Sequence, residues 1–232
     1  MNNLIAVSSN VIIRSMGEFF AQPEIAALCQ AFPLTAGIAA YFGGKYSQEQ
    51  FETLTTFVHL LHSRLSTVED KYIDKEFFES QNGKRIMGKV FRGIVRDNRK
   101  EKLEAMSNLT VNVFMKSKMS IDEREIYVDI LDSQNILQLS ILQRSVLDMR
   151  NRSVNPHRGL GWEILFADYG KKGITKPLFL QSLRALESNG LINQNTATIS
   201  EQDKTHFVTD FGEQFYDFVS DPLIKQSHYL EL

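Results

Sequence analysis

Residues 173–192 read GITKPLFLQSLRALESNGLI, and the fold of the last third of the chain turns on how this stretch is parsed. Pro177 fits the first turn of a helix, where a missing N–H costs nothing. Leu178, Leu180, Leu183 and Leu186 then supply a buried side. Gly190 ends the helix, because it can take the positive φ that closes one. Leu191 and Ile192 begin a strand, which Asn193–Ser200 carry toward a polar turn at Glu201–Lys204. His206, Phe207 and Val208 suit the returning strand, and Phe211, Phe215 and Phe218 recur at near-helical spacing behind it. The order is helix, glycine, strand, polar turn, strand, helix.

Two patterns inside this stretch carry a resemblance. L-x-x-L-x-x-x-G-L-I runs from Leu183 to Ile192, and V-T-x-x-G-x-x-F from Val208 to Phe215. Together they resemble winged-helix transcription regulators of the multiple-antibiotic-resistance type. The resemblance covers about 50 residues and implies a winged helix with a small β-hairpin wing, a fold that serves protein contacts as readily as DNA. Regulators of this type place several basic residues on the recognition helix and wing. Here the corresponding candidates are Lys176 and Arg184 on the helix, Lys171 and Lys172 before it, and Lys204 in the wing, offset by Glu187, Glu201 and Asp203.

Upstream, residues 149–161, MRNRSVNPHRGLG, have loop chemistry and separate two helical runs. The chain is therefore expected to be mainly α: a helical bundle over 1–148, a loop over 149–161 and a winged helix over 162–232. The first helix of that second part is either its own or borrowed from 135–148.

Within the bundle, Ser47 and Gln50 form a capping box. Behind it Phe51, Leu54, Val58, Leu61, Leu65 and Val68 make an a/d seam built to pack on another helix. His59 and His62 lie beside the seam and read as two surface histidines, since no further ligand follows at helical spacing. Ser120 and Glu123 form a second box, opening a helix with Ile126, Tyr127, Ile130 and Leu131 on one face. Between the boxes, Leu103, Met106, Thr110 and Val113 or Phe114 supply the buried side of basic helical stretches, and antiparallel packing is the simplest arrangement. The apolar stretch 25–44 approaches a membrane span in length, but Pro33 breaks it and Gln30 and Thr35 dilute it. The pattern of the first 150 residues, with its apolar segment from Pro33 to Gly44, Phe77-Phe78, Arg99, Glu101, Lys102 and Val128 to Leu131, is similar to uncharacterised bacterial helical proteins. That likeness implies no activity.

The net charge of −2 is unevenly spread: residues 84–102 hold eight basic and two acidic residues, an excess of +6. Arg85, Lys89, Arg92, Arg96 and Arg99 step by four and three, so they share one helix face. Such a stripe is either a solvated face or a site for a polyanion.

Catalytic signatures are missing. GGKYS at 43–47 fails as a phosphate loop, because position 39 is Ala and Tyr46 separates Lys45 from Ser47. No G-x-S-x-G, H-E-x-x-H or C-x-x-C occurs, and no cofactor or metal is expected. Cys29 is the only cysteine, which fits a reducing, cytoplasmic setting, and the N-terminal residues lack the basic start of a secretion signal. The expected function is a non-catalytic regulatory or interaction protein, with a protein or nucleic-acid partner, acting through the winged helix and the basic stripe. The rival readings are a DNA-binding regulator, in which a homodimer brings the stripe beside the recognition helix, and a helical effector that touches membranes through 25–44.

Overall fold

The computed structural model describes residues 48–65, 67–117, 119–151, 160–194 and 205–220. They are mainly helical, with one small antiparallel sheet. The chain divides into two compact units between Asp132 and Ser133, the second running Ser133–Ser220.

The first unit contains α1 (Gln48–Leu65), a 3-10 turn (Asp70–Tyr72), α2 (Lys75–Glu79), α3 (Gln81–Arg96), α4 (Lys100–Val113) and α5 (Ile121–Ser133). Helix α1 packs on α3 and α4. It buries Leu54, Phe57, Val58 and Leu61, and Phe57 meets Phe91 of α3 edge to face at 6.0 Å. The seam ends one turn earlier than its spacing suggests. The chain leaves the helix at Leu65, and Val68 is buried from the following turn. Ser47, expected to cap α1, lies outside the described residues, as do residues 25–44.

Ser80 is shared by α2 and α3. It closes the first, and its Oγ accepts from the Gly83 N–H at 3.1 Å to open the second. Helix α5 begins at the expected capping box: Glu123 N–H donates to Ser120 Oγ at 3.2 Å, and Ser120 N–H donates to Glu123 Oε2 at 2.7 Å. Its buried stripe is Arg124, Tyr127, Val128 and Leu131, a spacing of three, four and seven, with Ile130 beside it. Ile126 was expected on this face but is 47% exposed, because the buried arginine takes the position that places the stripe. The Arg124 guanidinium donates to the Val113 carbonyl at 2.7 Å and lies over the Phe77 ring at 4.2 Å.

The second unit contains α6 (Ile136–Asn151), β1 (Leu160–Gly161), α7 (Trp162–Gly170), α8 (Lys176–Ser188), β2 (Ile192–Gln194), β3 (Thr205–Val208) and α9 (Asp210–Ser220). The antiparallel sheet has the order β1-β3-β2, with Ile192 opposite Val208 and Leu160 opposite His206. Helix α6 is central and packs on α8, α9, α7 and β3. A further capping box starts it: Gln138 N–H donates to Asn135 Oδ1 at 2.9 Å and Asn135 N–H to Gln138 Oε1 at 2.7 Å. The division at Asp132 falls well before the expected end of the bundle at 148. Residues 149–151 are the last turn of α6 rather than loop, and α6 belongs entirely to the second unit.

The buried side of α8 also needs correction. Phe179, Ser182, Leu183 and Leu186 are buried, at spacings of three, four and seven, while Leu178 is 44% exposed. Three apolar residues in a row leave the register of the face open, and the ring of Phe179 wins it by packing on Phe166 and Tyr169 at 5.4 and 5.5 Å. At the end of α8, Gly190 has φ +71°. Its N–H donates to the Glu187 carbonyl at 2.9 Å, and the Leu191 N–H donates to Leu186 at 3.0 Å. This pair of bonds is the Schellman closure that favours glycine.

Thr209 then ties the following helix to that closure. Its Oγ donates to the Gly190 carbonyl at 2.6 Å and accepts from the Gly212 N–H at 2.9 Å, capping α9. Gly212 lies against the Leu191 carbonyl, where a β-carbon would come within 1.9 Å of the oxygen.

Two tests follow from this packing. Gly212→Ala should destabilise the protein by about 3 kcal/mol, since backbone rather than a flexible side chain must move. Leu183→Ala and Phe215→Ala, at 2% and 0% exposure, should each cost roughly 2–5 kcal/mol. Urea unfolding monitored by circular dichroism reads all three, and losses below about 1 kcal/mol would contradict this packing.

Candidate functional site

The stripe on α3 is the first candidate, and the structure places a row of carboxylates against it. Arg85 Nη2 lies 2.6 Å from Glu125 Oε2, and Lys89 Nζ lies 2.7 Å from both Glu125 and Asp129. Arg96 Nη2 reaches Asp132 Oδ1 at 2.6 Å and donates to the Asp132 carbonyl at 2.9 Å. Arg99, expected on the same helix face, lies past the end of α3 at Arg96, where it precedes α4 and turns back to Asp97, two residues away, at 2.6 Å. Arg92 is exposed and has no ion pair among the described residues.

The acidic partners stand on α5 at positions 125, 129 and 132, steps of four and three, against paired cations at 85, 89 and 96, which step by four and seven. Burial pulls the Lys89 ammonium down, but hydrogen bonds to Asp129 and Glu125 outweigh it and hold its pKa above the ordinary value. The same contact keeps Glu125 below the usual carboxylate range. Much of the +6 excess of residues 84–102 is thus answered within the fold. The signal in the sequence for this pairing was the 125–129–132 spacing, which puts three carboxylates on one face of a helix.

Lys102, counted in the same excess, is not on a surface at all. It is 1% exposed, and its ammonium donates to the carbonyls of Leu131 and Asp132 at the C-terminal end of α5. Burial pushes its pKa down to about 8, against the opposing pull of Asp97 and Asp132.

The second candidate is the outer face of α8. Lys176, Pro177, Leu178, Gln181, Arg184 and Ser188 are exposed there, and Lys171 and Lys172 are exposed in the turn before it. Lys172 lies over the Tyr169 ring at 5.7 Å. Lys171 and Arg184 have no ion pair among the described residues. Elsewhere among the described residues of this unit, Arg150 holds Glu213 and Asp217 at 2.8 Å each, and Arg144 faces Asp168 at 3.6 Å. Gln181 joins the face as a residue that composition and charge gave no reason to single out. Lys204 lies outside the described residues.

His59 is exposed and His62 half-buried, one turn apart on α1. Among the described residues no group of three or more His, Cys, Asp and Glu is placed to hold a metal ion. No helix among them is long and apolar enough to cross a membrane.

Burial of Lys102 sets a pH dependence. An unfolded chain keeps this proton up to the ordinary pKa of 10.5, whereas the folded protein releases it near 8. Between those values the unfolded state binds more protons, so stability rises with pH. The rise should be about 3 kcal/mol across the window. Lys102→Met should remove that share of the pH dependence, read as the difference between wild type and variant in denaturant melts at pH 7.5 and 10.5. Parallel pH profiles for the two proteins would contradict a depressed Lys102.

No protein-family model, curated protein or solved structure matches this chain.

Proposed function

We propose that Ser133–Ser220 is a winged helix and that the protein is a non-catalytic binding protein which uses it to hold duplex nucleic acid. The order helix, strand, two helices, then two strands and a helix, on a sheet of order β1-β3-β2, supports the fold reading. In that fold α8 stands where a recognition helix stands.

One observation carries the choice of partner. The outer face of α8 and the turn before it gather Lys171, Lys172, Lys176 and Arg184 at exposed positions, Lys171 and Arg184 without an ion pair among the described residues, whereas the basic row on α3 is largely paired with carboxylates. Phosphate neutralisation needs cations that are not already spent on carboxylates. Gln181 and Arg184 on the same face have side chains suited to base edges in a major groove.

A protein partner is the second reading. It is favoured by Leu178, 44% exposed on α8, and by Ile164 of α7, 66% exposed.

Fluorescence anisotropy with random-sequence duplex DNA at two salt concentrations tests the choice. Wild-type protein should bind at low salt, with a log–log salt slope of about −0.9 per neutralised phosphate. Replacing Lys171, Lys172, Lys176 and Arg184 by Gln should weaken binding and flatten the slope. The triple variant Arg85→Gln, Lys89→Gln, Arg96→Gln should weaken binding and flatten the slope far less. Absence of binding at low salt, or binding indifferent to the α8 substitutions, would overturn the nucleic-acid reading and leave the protein partner.

A further inference from the structure

The pairing of α3 with α5 is a match of two rows. Arg85, Lys89 and Arg96 meet Glu125, Asp129 and Asp132. The cation row from 85 to 96 spans about 16 Å of helix at 1.5 Å per residue. Its charged ends are not sealed away: the Arg85, Lys89 and Arg96 side chains are 52%, 26% and 63% exposed. Exposed ion pairs of this kind contribute little to stability and are screened by salt.

What keeps α5 in place lies elsewhere. Tyr127, Val128, Ile130 and Leu131 are buried, Arg124 reaches the Val113 carbonyl, and Lys102 holds the helix end. The carboxylates of Asp129, with a 54% exposed side chain, and of the more covered Glu125, at 19%, can therefore lose their partners without releasing the helix. Arg92, exposed and without an ion pair among the described residues, sits inside the row as an uncommitted cation.

We propose that the α3 row is a binding site for a linear chain of phosphates, kept masked by the carboxylates that α5 lays against it. A single phosphate cannot answer a row of this length. A phosphate chain brings successive anions to Arg85, Lys89, Arg92 and Arg96 together, with Arg92 as the point of first contact, and displaces the carboxylates one by one. The inference does not rest on the winged-helix reading.

The probe is inorganic polyphosphate of defined length, which has no bases and no groove, titrated calorimetrically into the full-length protein. The double variant Glu125→Gln, Asp129→Asn should bind it roughly tenfold more tightly than wild type, the size of one or two exposed ion pairs. Adding Arg92→Gln to that variant should abolish the gain, and Lys171→Gln with Lys172→Gln should not. Asp129→Asn alone, at a 54% exposed side chain, should show a smaller gain and covers the case in which the double variant misfolds. A well-folded double or single variant that binds no tighter than wild type overturns the proposal. So does a gain that survives Arg92→Gln.

Discussion

Helix α9 runs so close to the Leu191 carbonyl that only a residue without a β-carbon fits at 212. Thr209 makes that approach productive, because one hydroxyl donates to Gly190 and accepts from Gly212. Gly190 in turn has the positive φ that lets Leu191 turn out of α8 and into β2. Leu191 and Ile192, 0% and 2% exposed, then anchor the strand in the core. Four short motif residues thus fix the directions of α8, β2, β3 and α9 at one point. The exposed face of α8 is positioned by this knot rather than by its own contacts.

The two units handle their cations differently. In the first, positive side chains are consumed by the fold: some pair with α5 carboxylates, and two, Arg124 and Lys102, are buried against backbone carbonyls. Taking such groups out of water is costly unless the remaining donors find acceptors. Both do, and burial leaves both with depressed pKa values. In the second unit Lys171 and Arg184 are exposed and have no ion pair among the described residues. A count of basic residues along the chain cannot distinguish these fates, because it registers charge and not what stands opposite.

Where a residue had one available partner, its role was legible in the sequence. The box at Ser120 and Glu123, the stop at Gly190 and the order of strands and helix after it are local devices, and they appear where local spacing puts them. The register of α8 was not legible, because Leu178, Phe179 and Leu180 offer three adjacent choices and only contact with Phe166 and Tyr169 selects one. The start of the second unit was left between 162 and a helix borrowed from 135–148, although Asn135 and Gln138, which spell a capping box as plainly as Ser120 and Glu123 do, favour the borrowed helix. The Pro- and Gly-bearing stretch at 149–161 drew the boundary instead, and chain composition is a poor guide to which helix packs on which. As for the candidate site, spacing placed Arg85, Lys89, Arg92 and Arg96 on one face of α3 but carried the stripe on to Arg99, beyond the helix end, and the carboxylates opposite Arg85 and Lys89 come from 40 residues further along.

Helix α6 opens the second unit, yet its last turn is held from the far end of the chain. Arg150 reaches Glu213 and Asp217, separated from it by 63 and 67 residues, and lies over the Tyr216 ring at 5.6 Å. The helix also packs on β3, at Thr205–Val208. During synthesis α6 therefore leaves the ribosome long before its partners exist, with Ile141, Leu142 and Val146 awaiting a core. Loop closure over such distances slows folding more than it weakens the finished structure. The second unit is completed only when its last helix has emerged, which makes the period before α9 appears the time of greatest exposure to aggregation and proteolysis.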